Sequence, residues 1–152
     1  MNIVLHEPEI PQNTGNIGRT CVAAGAKLHL IKPIAFDTSE KAVRRSGLDY
    51  WQHLNISYYD NFENFLIKNN TPKVFMVETT GSKCYADVNY TKDSFIMFGK
   101  ESQGIPDEIL NQYLETCIRI PMAPESRSLN LANSVAIVLY EALRQNGFMG
   151  FI

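Results

Sequence analysis

The stretch "SRSLNLANSVAIVLYEALRQ", residues 126–145, joins a strongly polar start to an ordinary amphipathic helix. Its second half carries apolar residues at helical spacing, which indicates a buried helix face. Its first half places five hydrogen-bonding side chains around two leucines: Ser126, Ser128, Asn130, Asn133 and Ser134. A single cap at Ser128 or Asn130 is sufficient for the helix start. The other polar groups have no role in secondary structure, so we ask what they hold.

Two faces of this helix are predicted to be covered. The core face consists of Leu131, Ala132, Val135, Ala136, Leu139, Ala142 and Leu143, which share one wide arc. A separate stripe contains Asn133, Ile137, Tyr140 and Arg144. A stripe of mixed apolar and polar residues favours contact with another chain, although a solvated face has the same pattern.

Upstream of this stretch, short apolar segments alternate with helical patterns. The segments predict strands at 2–5, 27–31, 55–59, 73–78, 94–98 and 117–121. Helices are predicted at 16–25, 37–47, 60–70 and 106–115, the second and third with capping boxes (Asp37 with Glu40, Asp60 with Glu63) and the last starting at Pro106. Most strands are continuously apolar, as when both faces of a sheet are covered. The order predicts an α/β fold with a mostly parallel sheet flanked by helices.

Composition limits the classes of protein to be considered. The 152 residues, 45% hydrophobic and 20% charged, predict one globular domain. A formal net charge of −2 gives no general attraction to nucleic acid, so any RNA contact requires a local basic patch. Three scattered cysteines support neither a disulfide framework nor a metal site. Without a signal-peptide pattern or a membrane-spanning segment, the expected location is cytoplasmic, with no membrane and no metal partner.

Two loops at the carboxyl ends of the predicted strands carry candidate chemistry, since ligands bind at that edge of parallel sheets. In the loop 6–20, glycines allow close backbone approach and Arg19 follows in the predicted first helical turn. This pattern fits an anion site and an ordinary turn with a surface arginine equally well. In "FGKESQGIP" (98–106), Gly99 and Gly104 flank Glu101. Taken alone, this loop is a tight turn with a capping carboxylate, because it matches neither a Walker loop nor a nucleophile elbow.

Taken together, three segments resemble the motifs of a known enzyme class. "NTGNIGR" (13–19), "FGKESQGIP" (98–106) and "IPMAPESRSLNLANSVAIVLYE" (120–141) are similar, in this order, to the motifs of SPOUT-class RNA methyltransferases. The resemblance extends over nearly the whole chain and is greatest to the small type that methylates the wobble-position ribose of tRNA. It departs from the pattern at Lys100, where some relatives have proline, and at Gly18, where a larger apolar residue is common.

The resemblance implies one domain over residues 1–152, with a deep C-terminal trefoil knot at about 75–146. In such a knot the C-terminal helix passes through a loop formed by preceding segments. It also implies S-adenosylmethionine as the methyl donor, with S-adenosylhomocysteine as the product, and transfer to the ribose 2′-hydroxyl of cytidine or uridine 34. The cofactor-binding residues would be Val77, Glu78, Thr79, Gly99, Ile120, Met122, Ser128 and Leu129.

The same resemblance assigns roles to polar and interface residues. Arg19 would be essential; because a guanidinium has a pKa above about 12, we favour phosphate binding and polarisation of the hydroxyl over proton abstraction. Glu101 would orient loops or Arg19, and Asn130 would bond the substrate. Expected RNA contacts are Asn13, Arg19, Lys41, Arg44, Arg45 and Arg127, although 41–45 also fits a solvated face. A homodimer would meet through Ile137 and Tyr140. His6, His29 and His53 are expected to be structural or exposed.

Three alternatives remain at this point. The chain could methylate another RNA, but relatives that act on ribosomal RNA usually carry an additional RNA-binding domain. It could also bind cofactor or RNA without turnover. A dinucleotide enzyme is disfavoured, because the GxGxxG pattern and its downstream acidic residue are missing.

Overall fold

Seven strands form one sheet in the computed structural model, which describes residues 1–34 and 49–152. The strands are β1 (Asn2–His6), β2 (Lys27–Ile31), β3 (Ile56–Tyr59), β4 (Val74–Val77), β5 (Lys83–Cys84), β6 (Phe95–Phe98) and β7 (Cys117–Arg119). Their order is β3-β2-β1-β6-β4-β7-β5, and each described pairing is parallel. The predicted α/β fold with a parallel sheet is confirmed.

Four helices accompany the strands in the described residues: α1 (Pro11–Ala23), α2 (Phe62–Lys68), α3 (Asp107–Leu110) and α4 (Leu131–Gln145). Short 3₁₀ helices lie at Asp49–His53, Tyr85–Asp87 and Leu114–Thr116. The helix predicted at 37–47 falls in the segment outside the described residues. None of the helices described here is both long and apolar enough to cross a membrane.

The core has two halves, one on each face of the sheet. Side chains alternate between the faces along a strand, so Ile3 and Leu5 of β1 pack on one side and Val4 on the other. The first half includes Ile17 of α1 together with most of the predicted core face of α4. The second includes Phe65 of α2 and other aromatic rings. Burying each large apolar side chain contributes about 1.5–3 kcal/mol. Covering of both faces explains why the strands lack polar alternation.

The predicted boundaries of three helices need correction. Helix α1 begins at Pro11, ahead of the predicted start at residue 16. Helix α2 is capped by Asn61, whose side chain accepts the Asn64 N–H at 2.8 Å, and the predicted Asp60 box does not form. Helix α3 ends at Leu110, and Pro106 precedes it instead of starting its first turn. Strand β5 was not predicted, since two residues carry too short a pattern.

Two of the three histidines are buried, and the third lies on the surface. His29 is buried, and its ring lies 2.7 Å from the Tyr59 hydroxyl and 3.1 Å from the Asn2 side-chain oxygen. Burial lowers the pKa of His29 to about 4. His6 is also buried, which lowers its pKa, while His53 is exposed. The expectation that these rings are structural or exposed is in keeping with their positions.

Candidate active site

A cavity of about 520 Å³ lies at the carboxyl ends of β4, β6 and β7. All of the predicted cofactor-binding residues line it: Val77, Glu78, Thr79, Gly99, Ile120, Met122, Ser128 and Leu129. Asn13, Glu101, Arg127 and Asn130 line the same cavity. Three loops that are far apart in sequence therefore meet around one hollow, as the motif order predicted. Its volume is within the range of small-molecule and cofactor sites.

Glycine allows the loop after β6 to fold back on itself. A Cβ built at Gly99 would lie only 2.0 Å from the Gly104 carbonyl carbon and 2.2 Å from the Ile105 nitrogen. The Gly104 N–H bonds to the Lys100 carbonyl at 2.8 Å, and Gly104 has a φ of +73°, a conformation that favours glycine. No other residue fits at Gly99 without moving the backbone that forms one wall of the cavity.

Glu78 joins the end of β4 to this loop. Its Oε1 accepts the Ile105 backbone N–H at 2.7 Å. A charged acceptor makes such a bond about twice as strong as one between neutral groups. Glu78 therefore holds two cavity walls together in addition to lining the space between them.

Glu101 binds the segment that leads into α1. Ile10, at the N-cap position, makes no side-chain cap bond. Glu101 accepts the backbone N–H groups of Glu9 at 2.8 Å and Ile10 at 3.2 Å, and the Asn13 side-chain amide at 3.0 Å. A carboxylate at a helix N-terminus is also favoured by the helix dipole. Glu101 thus orients the loop before α1, and no bond to Arg19 is found among the described residues.

A second contact between these two loops surrounds Glu9. Its carboxylate accepts both the backbone N–H of Ser102, at 3.0 Å, and the Ser102 hydroxyl, at 2.9 Å. The side-chain hydrogen bond from Ser102 lowers the pKa of the Glu9 carboxyl. Lys100 binds Glu7 at 3.0 Å nearby. Sequence reasoning missed Glu9 and Ser102, because each looks like an ordinary surface residue until the loops are brought together.

The bonds of Asn130 show what one of the polar side chains at the start of α4 holds. Its side-chain oxygen caps α4 by accepting the Ala132 N–H at 2.9 Å, and its amide donates to the Asn13 side-chain oxygen at 3.0 Å. Asn13 in turn donates to Glu101. We call the chain Glu101–Asn13–Asn130 the polar relay. The polar relay joins the three motifs. Asn13, its central member, is buried, with 6% of its surface exposed.

Arg19 lies outside the cavity. It is exposed and lies near the middle of α1. The predicted position in the first helical turn is therefore wrong. The reason is that α1 starts earlier than predicted. Its guanidinium carbon is 4.9 Å from the centroid of the Tyr50 ring. Within residues 1–34 and 49–152, no carboxylate forms an ion pair with Arg19. Its N–H donors are therefore available to a bound anion.

The remaining predicted residues are distributed as follows. Arg127 is exposed at the cavity, whereas Lys41, Arg44 and Arg45 lie outside the described residues. Ile137 is 36% exposed and Tyr140 46%, so the predicted stripe on α4 faces outward. In the part of the chain that the structure describes, no group of three His, Cys, Asp or Glu side chains could hold a metal ion.

The parallel sheet and its three-loop cavity are those of a SPOUT-class methyltransferase. The chain belongs to the SpoU rRNA methylase family, which it matches over residues 1–140.

Among its relatives, the tRNA (cytidine(34)-2′-O)-methyltransferase of Escherichia coli K12 is 44% identical over 153 residues, which cover 100% of this chain and 98% of that protein.

Two solved structures extend the comparison. One, described as giving structural insights into the 2-OH methylation of C/U34 on tRNA, has a TM-score of 0.89 and 39% identity, covering 97% of this chain and 96% of its own. The other is an AdoMet-bound rRNA methyltransferase from Sinorhizobium meliloti, with a TM-score of 0.80 and 30% identity. It covers 94% of this chain, which spans 55% of that one.

Proposed function

We propose that this protein transfers a methyl group from S-adenosylmethionine to the ribose 2′-hydroxyl of cytidine or uridine 34 in tRNA. The 2′-oxygen would bond to the methyl carbon as the sulfonium S–CH3 bond breaks, with S-adenosylhomocysteine as the leaving group and the hydroxyl proton passing to solvent. The observation that carries the proposal is the single cavity formed by the three motif loops. The tRNA-modifying relative from E. coli supports the choice of substrate, because the match extends over 98% of that protein. The rRNA methyltransferase from S. meliloti has a much longer chain, of which this one spans 55%. Ribosomal RNA is therefore the less favoured substrate.

The cavity suits an adenosyl cofactor. Val77, Ile120, Met122 and Leu129 offer apolar surface to a planar base, while the close-packed backbone around Gly99 offers groups for hydrogen bonds. S-adenosylmethionine supplies an electrophilic methyl group on a sulfonium centre, so the chain must supply alignment of the nucleophile. The eight cofactor-binding residues are proposed to hold this group through packing and backbone contacts.

Arg19 is proposed to act on the substrate. A ribose hydroxyl is a weak nucleophile that has to be aligned and polarised. An exposed guanidinium has in-plane donors for a phosphate and for the 2′-oxygen. Because a guanidinium offers N–H donors and no acceptor, we assign Arg19 to phosphate binding and to polarisation of the hydroxyl. Arg127, at the cavity, and the basic residues Lys41, Arg44 and Arg45 are proposed to bind the tRNA backbone.

The polar relay is proposed to position the site. Glu101 and Asn130 were expected to be catalytic, and their bonds support an additional structural role. Asn13 was expected to contact RNA. Because the nitrogen and the oxygen of its side-chain amide are both bonded to other residues, we assign Asn13 to positioning the cavity loops.

Three further features belong to this proposal. Residues 1–152 would form one domain with a trefoil knot at about 75–146, as the resemblance to SPOUT-class methyltransferases implies. The exposed Ile137 and Tyr140 would form a homodimer contact. The protein would act in the cytoplasm.

The proposal is tested with purified protein, unfractionated tRNA and S-adenosylmethionine carrying a labelled methyl group. Nuclease mapping and mass spectrometry of the products should place the label on the ribose of nucleotide 34. Label in ribosomal RNA alone would favour the second substrate. Cofactor binding without any transfer would favour a non-catalytic module.

A further inference from the structure

Tyr50 lies against the outer face of α1, next to the proposed substrate residue. The Arg19 guanidinium carbon is 4.9 Å from the centroid of its ring. The Tyr50 hydroxyl donates to the Gly15 carbonyl at 2.6 Å. In an α-helix that carbonyl also accepts the backbone N–H of the residue four positions later, which is Arg19. Tyr50 therefore contacts the side chain of Arg19 and the carbonyl that anchors its backbone.

A glycine allows the segment that follows Tyr50 to pack closely on α1. A Cβ at Gly18 would lie 3.1 Å from a ring carbon of Trp51 and 3.2 Å from a methyl of Leu54. Leu54 is buried in the same half of the core as Ile17 of α1. A larger apolar residue at this position would have to displace Trp51 or Leu54. The segment is thus held at a distance from which Tyr50 reaches Arg19.

Contact through a ring face leaves the donors of an arginine unused. The guanidinium N–H groups lie in the plane of the group, whereas attraction to an aromatic ring acts through its face. An ion pair with a carboxylate would occupy those donors and neutralise the charge. In the described part of the chain, Arg19 has the ring contact and no ion pair. The contact with the ring is therefore compatible with N–H donors that remain available to a ligand.

We propose that Tyr50 is a positioning residue that acts through Arg19 in the methyl-transfer reaction. The ring limits the guanidinium to orientations in which its donor edge faces the phosphate and the ribose hydroxyl of the substrate. The hydroxyl fixes the ring through Gly15. This inference rests on the proposed function, since it gives Arg19 a tRNA substrate to bind.

Two substitutions separate the ring from the hydroxyl. Tyr50→Phe keeps the ring and removes the bond to Gly15, and Tyr50→Leu removes both. We expect Tyr50→Leu to lower the single-turnover methyl-transfer rate roughly three- to tenfold, and Tyr50→Phe to stay within about twofold of the unmodified protein. The affinity for S-adenosylmethionine should be unchanged in both. Equal losses in the two variants would overturn the role of the ring.

A double-mutant cycle tests whether Tyr50 acts through Arg19. In an Arg19→Lys background the planar guanidinium that contacts the ring is lost, so Tyr50→Leu should change the remaining rate by less than about twofold. A further three- to tenfold loss in that background would show a general structural role and contradict the proposal. If the Arg19→Lys variant reacts too slowly to follow, the cycle is measured with the affinity for tRNA instead of the rate. The same two outcomes then apply.

An NMR signal provides a readout that does not depend on the reaction. The Arg19 Nε–H resonance of the full-length protein should show a ring-current shift that persists in Tyr50→Phe and disappears in Tyr50→Leu. An unchanged resonance in Tyr50→Leu would contradict the contact. If the unmodified protein methylates no tRNA, the proposed function fails. If it is active and Tyr50→Leu is equally active, only the role of Tyr50 fails.

Discussion

Helix α1 contributes both to the cavity and to an exposed outer face, and its polar side chains are bonded differently in these two regions. At the start of α1, Asn13 belongs to the polar relay and is bonded on both sides. Further along, Arg19 is exposed and contacts the Tyr50 ring, and it forms no ion pair with a carboxylate of the described residues. The cavity is built by groups that satisfy one another, whereas the outer face keeps its donors for a partner. The difference suggests a rigid cofactor side and an open substrate side.

The substitution Arg19→Ala should distinguish the roles of the two regions most clearly. Methyl transfer should fall by at least about 10²-fold, as when a charge-stabilising donor is removed from an active site. Affinity for S-adenosylmethionine should stay nearly constant, because Arg19 does not line the cavity. Single-turnover assays and calorimetry measure the two effects. Lys68→Ala, which removes an exposed cation on α2, is the control, and full turnover by Arg19→Ala would remove Arg19 from the mechanism.

The cavity side is tested by Gly99→Ala. The new methyl group would collide with the Gly104 and Ile105 backbone, so we expect a loss of about 3 kcal/mol in unfolding free energy. Affinity for S-adenosylmethionine should fall roughly tenfold or more, since one wall of the cavity must move.

Gly25→Ala is the matched control for this substitution. Gly25 has a φ of +57° and nothing within 4 Å of an added Cβ. That variant should lose about 1 kcal/mol of stability through backbone strain and bind the cofactor normally. Similar cofactor affinities in both variants would mean that the loop after β6 is not part of the cofactor site.

A smaller effect is expected from Asn13→Leu, which interrupts the polar relay. The change removes two hydrogen bonds, the one from Asn13 to Glu101 and the one from the Asn130 amide to Asn13, at a cost of about 2 kcal/mol in unfolding free energy. Denaturant unfolding measures the loss. Asn16→Leu, at an exposed site on the same helix, should be nearly neutral. If both variants are equally stable, the relay does not hold the loops together.

The smallest expected effect concerns the stripe on α4. Tyr140→Ala should weaken a homodimer by about 1 kcal/mol, or roughly fivefold in the dissociation constant. Sedimentation equilibrium provides the measurement. Tyr58→Ala, at a tyrosine that is 36% exposed on β3, is the control. An unchanged dissociation constant for Tyr140→Ala would count against the stripe as the contact between subunits.

Local patterns predicted the sheet better than the helix ends. Continuous apolar runs identified six of the strands, because burial on both faces leaves a clear mark on the sequence. The start of α1 was missed because the helix has no side-chain cap, and Glu101, which binds the loop before it, lies far away in the chain. The cap of α2 was misplaced by one residue, since Asp60 and Asn61 are both good cap residues.

The residues that line the cavity could be predicted from the sequence, but the hydrogen bonds between them could not. The motif order brought together the residues that line the cavity, and Asn130 was a candidate cap from the start. The bond between Asn130 and Asn13 could not be predicted, because spacing along the chain carries no information on which amides meet. The place of Arg19 outside the cavity follows from the earlier start of α1. The contact with Tyr50 depends on the absent side chain of Gly18.

The central claim is that the three loops form the site of the methyl donor, and calorimetry with S-adenosylmethionine tests it most directly. We predict binding of one molecule per chain, no binding of NAD, and weakened binding in Gly99→Ala but not in Gly25→Ala. No heat of binding with S-adenosylmethionine, or equal affinity in all three proteins, would contradict the account.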